Sequence, residues 1–79
     1  MTTFDPAILL AALGGADNVD DIEGCITRLR TVVIDPSTVD EAALTAAGAK
    51  GVIVSGDVVQ VIVGPQAELI ADDIKDLLD

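Results

Sequence analysis

The chain has 79 residues, enough for one domain and no second hydrophobic core, so residues 1–79 are read as a single unit. Four Lys and Arg side chains against fourteen Asp and Glu give a formal net charge of −10, which argues against a nucleic-acid backbone or an anionic lipid surface as partner. With no histidine and a single cysteine, the chain has no internal disulfide, no structural zinc centre and no Cys–His catalytic pair of its own, and neither cofactor nor metal is expected.

Apolar residues make up 51% of the sequence but aromatics only 1%, so the core must be built from Val, Ile, Leu and Ala. A core that small suits a simple two-layer architecture. No apolar run approaches the roughly 20 residues that cross a bilayer, so no direct membrane insertion is expected. The stretch Met1 to Asp5 has no basic region ahead of its apolar residues and does not read as a signal peptide. These features point to the cytoplasm and to a monomer.

Asp5 is placed to cap a first helix with Pro6 at its first helical position, and Phe4 has staple spacing to Leu9. Ala7 to Leu13 is apolar on every side, which suits a short helix pressed between a sheet and something else, and Gly14-Gly15 ends it. Ala16 to Asp21 reads as a polar, acidic connection in which Asn18 shapes the turn. Ile22 to Cys25 reads as a short first strand and Ile26 to Ile34 as a longer second one, with the turn around Gly24 to Ile26 and Cys25 at the hairpin tip. On the second strand Thr27, Leu29, Thr31 and Val33 share one face and Arg28, Arg30, Val32 and Ile34 the other. Neither face is cleanly apolar, so the pattern leaves open which one meets the helices.

Asp35-Pro36-Ser37 stops the strand. Asp40 caps a second helix that runs to Ala47 and stops at Gly48. Val52 to Val54 and Val58 to Val63 flank the turn signal Gly56-Asp57, and Gln60 is the only polar residue of the second run. A third helix follows Gly64-Pro65, with Ala67, Ile70, Ile74 and Leu77 at helical spacing and Asp72, Asp73 and Asp76 facing away. The order is helix, two strands, helix, two strands, helix. The expected fold is α+β: an αββαββα two-layer sandwich with an antiparallel four-stranded sheet and the helices largely on one face.

The chemistry concentrates in Cys25-Ile26-Thr27-Arg28-Leu29-Arg30. This string holds the only cysteine and both arginines of an acidic chain. A guanidinium presents a fork of donors that fits phosphate or carboxylate oxygens, and a cysteine reacts as its thiolate, which nearby positive charge favours. Arg28 and Arg30 on one strand face would both serve one anion beside Cys25. The stretch reads as an anion-handling thiol.

Together with Gly14-Gly15, Asn18, Asp35, Val39, Leu44, Gly48-Ala49-Lys50-Gly51-Val52, Gln60-Val61-Ile62 and Gly64-Pro65-Gln66-Ala67, this string closely resembles the B domain of enzyme II of the bacterial sugar phosphotransferase system, glucose and N-acetylglucosamine family. The resemblance implies the same αββαββα fold. It implies that Cys25 accepts a phosphoryl group from a histidine of the enzyme IIA component and passes it to a sugar, glucose or N-acetylglucosamine, held by the membrane enzyme IIC component. Arg28 and Arg30 would act mainly in the onward step, and the Thr27 hydroxyl would lie near the phosphate. The absence of a transmembrane run implies that enzyme IIC is a separate chain, or that this sequence is an excised domain.

Two other readings compete. A redox-sensing thiol would also suit arginines beside a cysteine, but there is no second, resolving cysteine and the extended match stays unexplained. A degenerate binding or regulatory module would share the fold, which by itself does not carry function. Cys25 as a buried hydrophobe is disfavoured by the adjacent arginines.

Overall fold

The Asp5 carboxylate accepts a hydrogen bond from the Ala7 N–H at 2.9 Å and so takes up one donor that the first turn cannot satisfy. That cap opens α1 (Pro6–Ala12) in a computed structural model that describes residues 4–78. Met1, Thr2 and Thr3, which enter the signal-peptide reading, and Asp79 lie outside the described residues. At the other end of α1 the Gly14 and Gly15 N–H groups return to the carbonyls of Ala11 and Leu10, both glycines having positive φ. The chain then runs through a 3₁₀ turn (Ala16–Asn18), β1 (Val19–Cys25), β2 (Arg28–Val33), a second 3₁₀ turn (Pro36–Thr38), α2 (Glu41–Ala46), β3 (Gly51–Ser55), β4 (Val58–Ile62) and α3 (Ala67–Leu78).

The order αββαββα expected from the sequence is the order observed. The four strands form one antiparallel sheet with spatial order β1-β2-β4-β3, so the two hairpins meet through β2 and β4. Burial in β2 alternates: Leu29, Thr31 and Val33 are buried, while Arg28 and Arg30 are exposed. With Val19, Ile22, Val59 and Val61 these residues form the covered face of the sheet. Against it lie Leu9, Leu10, Ala12 and Leu13 of α1 and its end, Leu44 of α2, and Ala67, Ile70, Ala71 and Ile74 of α3. The helices therefore occupy one face, and the face left open carries Cys25, Arg28, Arg30, Gln60 and Ile62.

Three sequence readings shift. Val19 to Asp21 belong to β1 rather than to the preceding connection, because they pair with Val33 and Val32 through a bulge. The acidic side chains Asp20 and Asp21 stay exposed, which masked the strand in the sequence. The turn falls at Ile26-Thr27, so β2 begins at Arg28, and Cys25 pairs with Arg28 across a two-residue loop. In α3, Leu77 remains 47% exposed and Ala71 is buried. The contact stripe is thus Ala67, Ile70, Ala71 and Ile74, continued by Leu78 against the core, a helical spacing that turns Leu77 to the side. On α1 the buried side is as expected, but Ile8 is 53% exposed and nothing among the described residues covers it.

Two buried polar side chains behave in opposite ways. The Asn18 amide donates to the carbonyls of Leu13 (2.7 Å) and Asp35 (3.1 Å) and accepts from the Asp35 N–H (2.8 Å), joining the end of α1 to the end of β2. Beyond it, the Ser37 hydroxyl and N–H both donate to the Asp35 carboxylate, the hydroxyl bond being the larger cause that holds this carboxyl below its usual range. The Thr31 hydroxyl, fully buried in the core, has no hydrogen-bond partner among the described residues. A buried polar group left unpaired costs about 1–3 kcal/mol. We therefore expect Asn18→Ala to destabilise the fold by about 2–4 kcal/mol, since it strands several backbone groups at once. Thr31→Val should be neutral or stabilising by about 1 kcal/mol. Urea denaturation of the two variants checks both signs; a loss of stability in Thr31→Val would mean that the hydroxyl has a partner in solution.

Candidate functional site

The site is the β1–β2 hairpin tip and the open sheet face beside it. Gly24 fixes its depth. A Cβ on this residue would lie 2.5 Å from the Glu68 Cα and 2.7 Å from the Ala67 carbonyl oxygen, so the first turn of α3 rests directly on the backbone of β1. One residue on, Cys25 ends the strand with its side chain exposed on the opposite, open face.

The turn is held from beneath. The Thr27 carbonyl accepts two hydrogen bonds, from the N–H groups of Val63 and Gly64, both at 2.9 Å, which ties the hairpin tip to the segment between β4 and α3. Ile26 has φ 50 and is 79% exposed. Left-handed φ is a genuine outlier for a β-branched residue and costs of order 1–3 kcal/mol unless its surroundings over-determine it. The paired strands on both sides and the doubly bonded Thr27 carbonyl supply that constraint. Among the described residues the Ile26 and Thr27 N–H groups donate to no backbone carbonyl. Two consecutive free amides in such a turn form a concavity suited to anionic oxygens.

The arginines stand beside it on the same face. Arg28 is opposite Cys25 and Arg30 is opposite Glu23, about 7 Å further along the strand. The Arg28 Nη1 donates to the Gln60 Oε1 at 2.8 Å, which uses one of five guanidinium donors and leaves four. Glu23 does not pair with Arg30; its carboxylate faces Lys75 of α3 at 3.8 Å. Among the described residues neither arginine is neutralised by a carboxylate. Cys25, Ile26, Thr27, Arg28, Arg30 and Gln60 together line an open depression of about 400 Å³. A phosphoryl group, a few times the roughly 30 Å³ share of a water molecule, fits there without displacing protein. Among the described residues no cluster of three His, Cys, Asp or Glu side chains is placed to hold a metal ion.

The sequence-derived site residues Cys25, Thr27, Arg28 and Arg30 are thus brought together. Gln60 carried a signal, as the lone polar residue of an apolar strand, but its role as the partner of Arg28 depends on β2 and β4 lying side by side. The strained turn at Ile26 carried none, since a β-branched residue gives no local hint of positive φ.

A model of the family "phosphotransferase system, EIIB" matches residues 7–40. The N-acetylglucosamine-specific EIIB component of Streptomyces coelicolor is 57% identical over 70 residues, covering 89% of this chain and 91% of that protein. The N-acetylglucosamine-specific EIICB component of Bacillus subtilis is 51% identical over 69 residues, which are 86% of this chain but 15% of that longer protein. Among solved structures, one domain of the phosphotransferase system IIabc component from Clostridium difficile superposes with a TM-score of 0.74 at 26% identity, covering 92% of this chain and 78% of that one. With the fold, the hairpin-tip thiol and its arginines on one face, this level of identity places the chain in the EIIB family, the phosphoryl carriers of the sugar phosphotransferase cascade.

Proposed function

We propose that Cys25 is the atom-bearing centre of that relay: it receives a phosphoryl group from a histidine of the phosphorylated enzyme IIA component and delivers it to a sugar held by the membrane enzyme IIC component. The single observation that carries this reading is an exposed thiol at the rim of a depression whose two guanidiniums have no carboxylate partner among the described residues. In the first step the Cys25 sulfur attacks phosphorus, the P–N bond to the donor histidine breaks and the P–S bond forms, the thiol proton having gone to solvent. In the second, a sugar hydroxyl attacks phosphorus and gives up its proton to solvent or the enzyme IIC component, the P–O bond forms, the P–S bond breaks and the thiolate returns. A thiolate is a strong nucleophile without a local base, which accords with a chain that has no histidine.

What such a transfer needs from the protein is placement and charge compensation on the equatorial oxygens. The free amides of Ile26 and Thr27, the donors of Arg28 not taken by Gln60 and the fork of Arg30 are suited to supply both. The Gln60 contact holds one edge of the Arg28 guanidinium, limiting the arrangements it samples. The Thr27 hydroxyl lines the same depression and would add a neutral donor.

For the sugar we propose N-acetylglucosamine. The support is the specificity in the names of the Streptomyces coelicolor and Bacillus subtilis relatives. The depression beside Cys25 has no aromatic lining and little enclosure, so sugar selection is assigned to enzyme IIC rather than to this chain. Association with the membrane would run through the same component, since no helix among the described residues is long and apolar enough to cross a bilayer.

Three outcomes are expected. Cys25→Ser should keep the fold and lose phosphoryl uptake, read by intact-mass spectrometry after incubation with phosphorylated enzyme IIA; normal uptake would remove Cys25 from the reaction. Arg28→Lys and Arg30→Lys keep the charge but lose the planar fork. Each should still load Cys25 while passing the group to sugar at least about 10-fold more slowly. Assays of the two half-reactions separate this from a general binding defect, which would slow both equally. When the chain is paired first with its own enzyme IIC and then with a glucose-selective one, the phosphorylated sugar should follow the membrane component; a preference that moved with this chain would place a selective pocket near Cys25.

A further inference from the structure

Two of the four basic residues, Arg28 and Arg30, belong to the depression, and Lys75 pairs with Glu23. Lys50 is the one left without a role. Its backbone N–H donates to the Ile62 carbonyl at 2.7 Å, and its Nζ lies over the segment between β4 and α3, 3.8 Å from where a Cβ on Gly64 would be. Gly64 is one of the two residues whose N–H groups hold the Thr27 carbonyl. Lys50 is exposed and makes no ion pair among the described residues.

The register across the sheet fixes its distance from the thiol. Cys25, Arg28, Ile62 and Gly51 form one row over four strands, so the backbone of Lys50, next to Gly51, is about three strand spacings, or about 14 Å, from that of Cys25. The Lys50 backbone thus stands well to one side of the thiol, while its ammonium leans back over Gly64, beside the segment that braces the hairpin tip. Lys50 is within reach of a partner seated on the thiol. A standard interface of about 800 Å² per partner corresponds to a disc of about 16 Å radius, with Lys50 at its rim.

At the thiol end Glu23, opposite Arg30, faces Lys75, and Glu68 lies where α3 rests on Gly24. Asp57 is at the far end of the sheet, its carbonyl accepting from the Val33 N–H at the opposite end of β2 from Arg28. Asp35 and Asp40 flank the second 3₁₀ turn beyond that same end. Three of the four cations, Arg28, Arg30 and Lys50, thus stand at the thiol end of a chain whose net charge is −10.

We propose that Lys50 is a docking residue for the phosphoryl donor: it pairs with an acidic side chain on the donor's surface to one side of the transferring phosphorus and steers the encounter. This rests on the reading of Cys25 as the phosphoryl acceptor. The donor, rather than the sugar-bearing component, is the partner served. Before transfer these three cations meet a phosphate-bearing surface; after it, the phosphoryl group on Cys25 offsets the arginines and weakens the field that guides the next encounter.

The test measures the second-order rate of phosphoryl uptake from phosphorylated enzyme IIA by the parent chain, Lys50→Gln, and Lys50→Gln combined with Asp57→Asn, whose net charge equals the parent's. At low ionic strength Lys50→Gln should be about three- to tenfold slower, and in 1 M salt less than about twofold slower. The double variant should stay slow, because the charge that counts is local, and onward transfer to sugar should change by less than uptake does. An unchanged low-salt rate, recovery in the double variant, or equal loss in both half-reactions would each overturn the proposal. Failure of the parent chain itself to take up a phosphoryl group would instead remove Cys25 as acceptor, and the docking role with it.

Discussion

Everything at the functional end follows from the two-residue repeat of β2. Side chains on a strand alternate between faces, so burial of Leu29, Thr31 and Val33 under the helices obliges Arg28 and Arg30 to stand together on the uncovered face. A slip of one residue would bury two guanidiniums and expose the core, at a cost no domain of this size could bear. The same alternation, carried across the pairing of Arg28 with Cys25 and of Arg30 with Gln60, puts the thiol, both cations and the amide on one surface. The core and the site are two sides of one strand.

Placement along the strand direction comes from a different source. The close approach of α3 to Gly24 sets the height of β1 relative to the helices, and the bonds from Val63 and Gly64 to Thr27 set the position of the turn. Both contacts involve the segment that opens α3. A single stretch of backbone thus braces the hairpin from below while contributing no side chain to the depression.

Local signals in the sequence translated well. Asp5 and Asp40 cap helices where their positions before apolar runs implied, Gly14-Gly15 and Gly48 end them, and Gly56-Asp57 turns between β3 and β4. Cys25, Arg28 and Arg30 were legible as a group because strand periodicity is a property of neighbouring residues. What depended on distant pairing was not legible. Which face of β2 is buried was undecidable from a strand with arginines on one side and two threonines on the other, and it resolves only once β4 supplies Val59 and Val61 beside it. The strand content of Val19 to Asp21 was hidden by acidic side chains that suit an exposed edge. Asn18 read as a turn residue, whereas its main task is to join the ends of two elements through Asp35, 17 residues away.

The Thr27 carbonyl has a further consequence. Both of its lone pairs are engaged, so rotating the peptide that follows would break two hydrogen bonds in one movement. A loop of this kind has little room to remodel itself between loaded and unloaded states. For a phosphoryl carrier, such stiffness keeps the reorganisation energy of gaining and losing the group low. A loop so tied presents the thiol in one position, with no rearrangement of the turn to complete first.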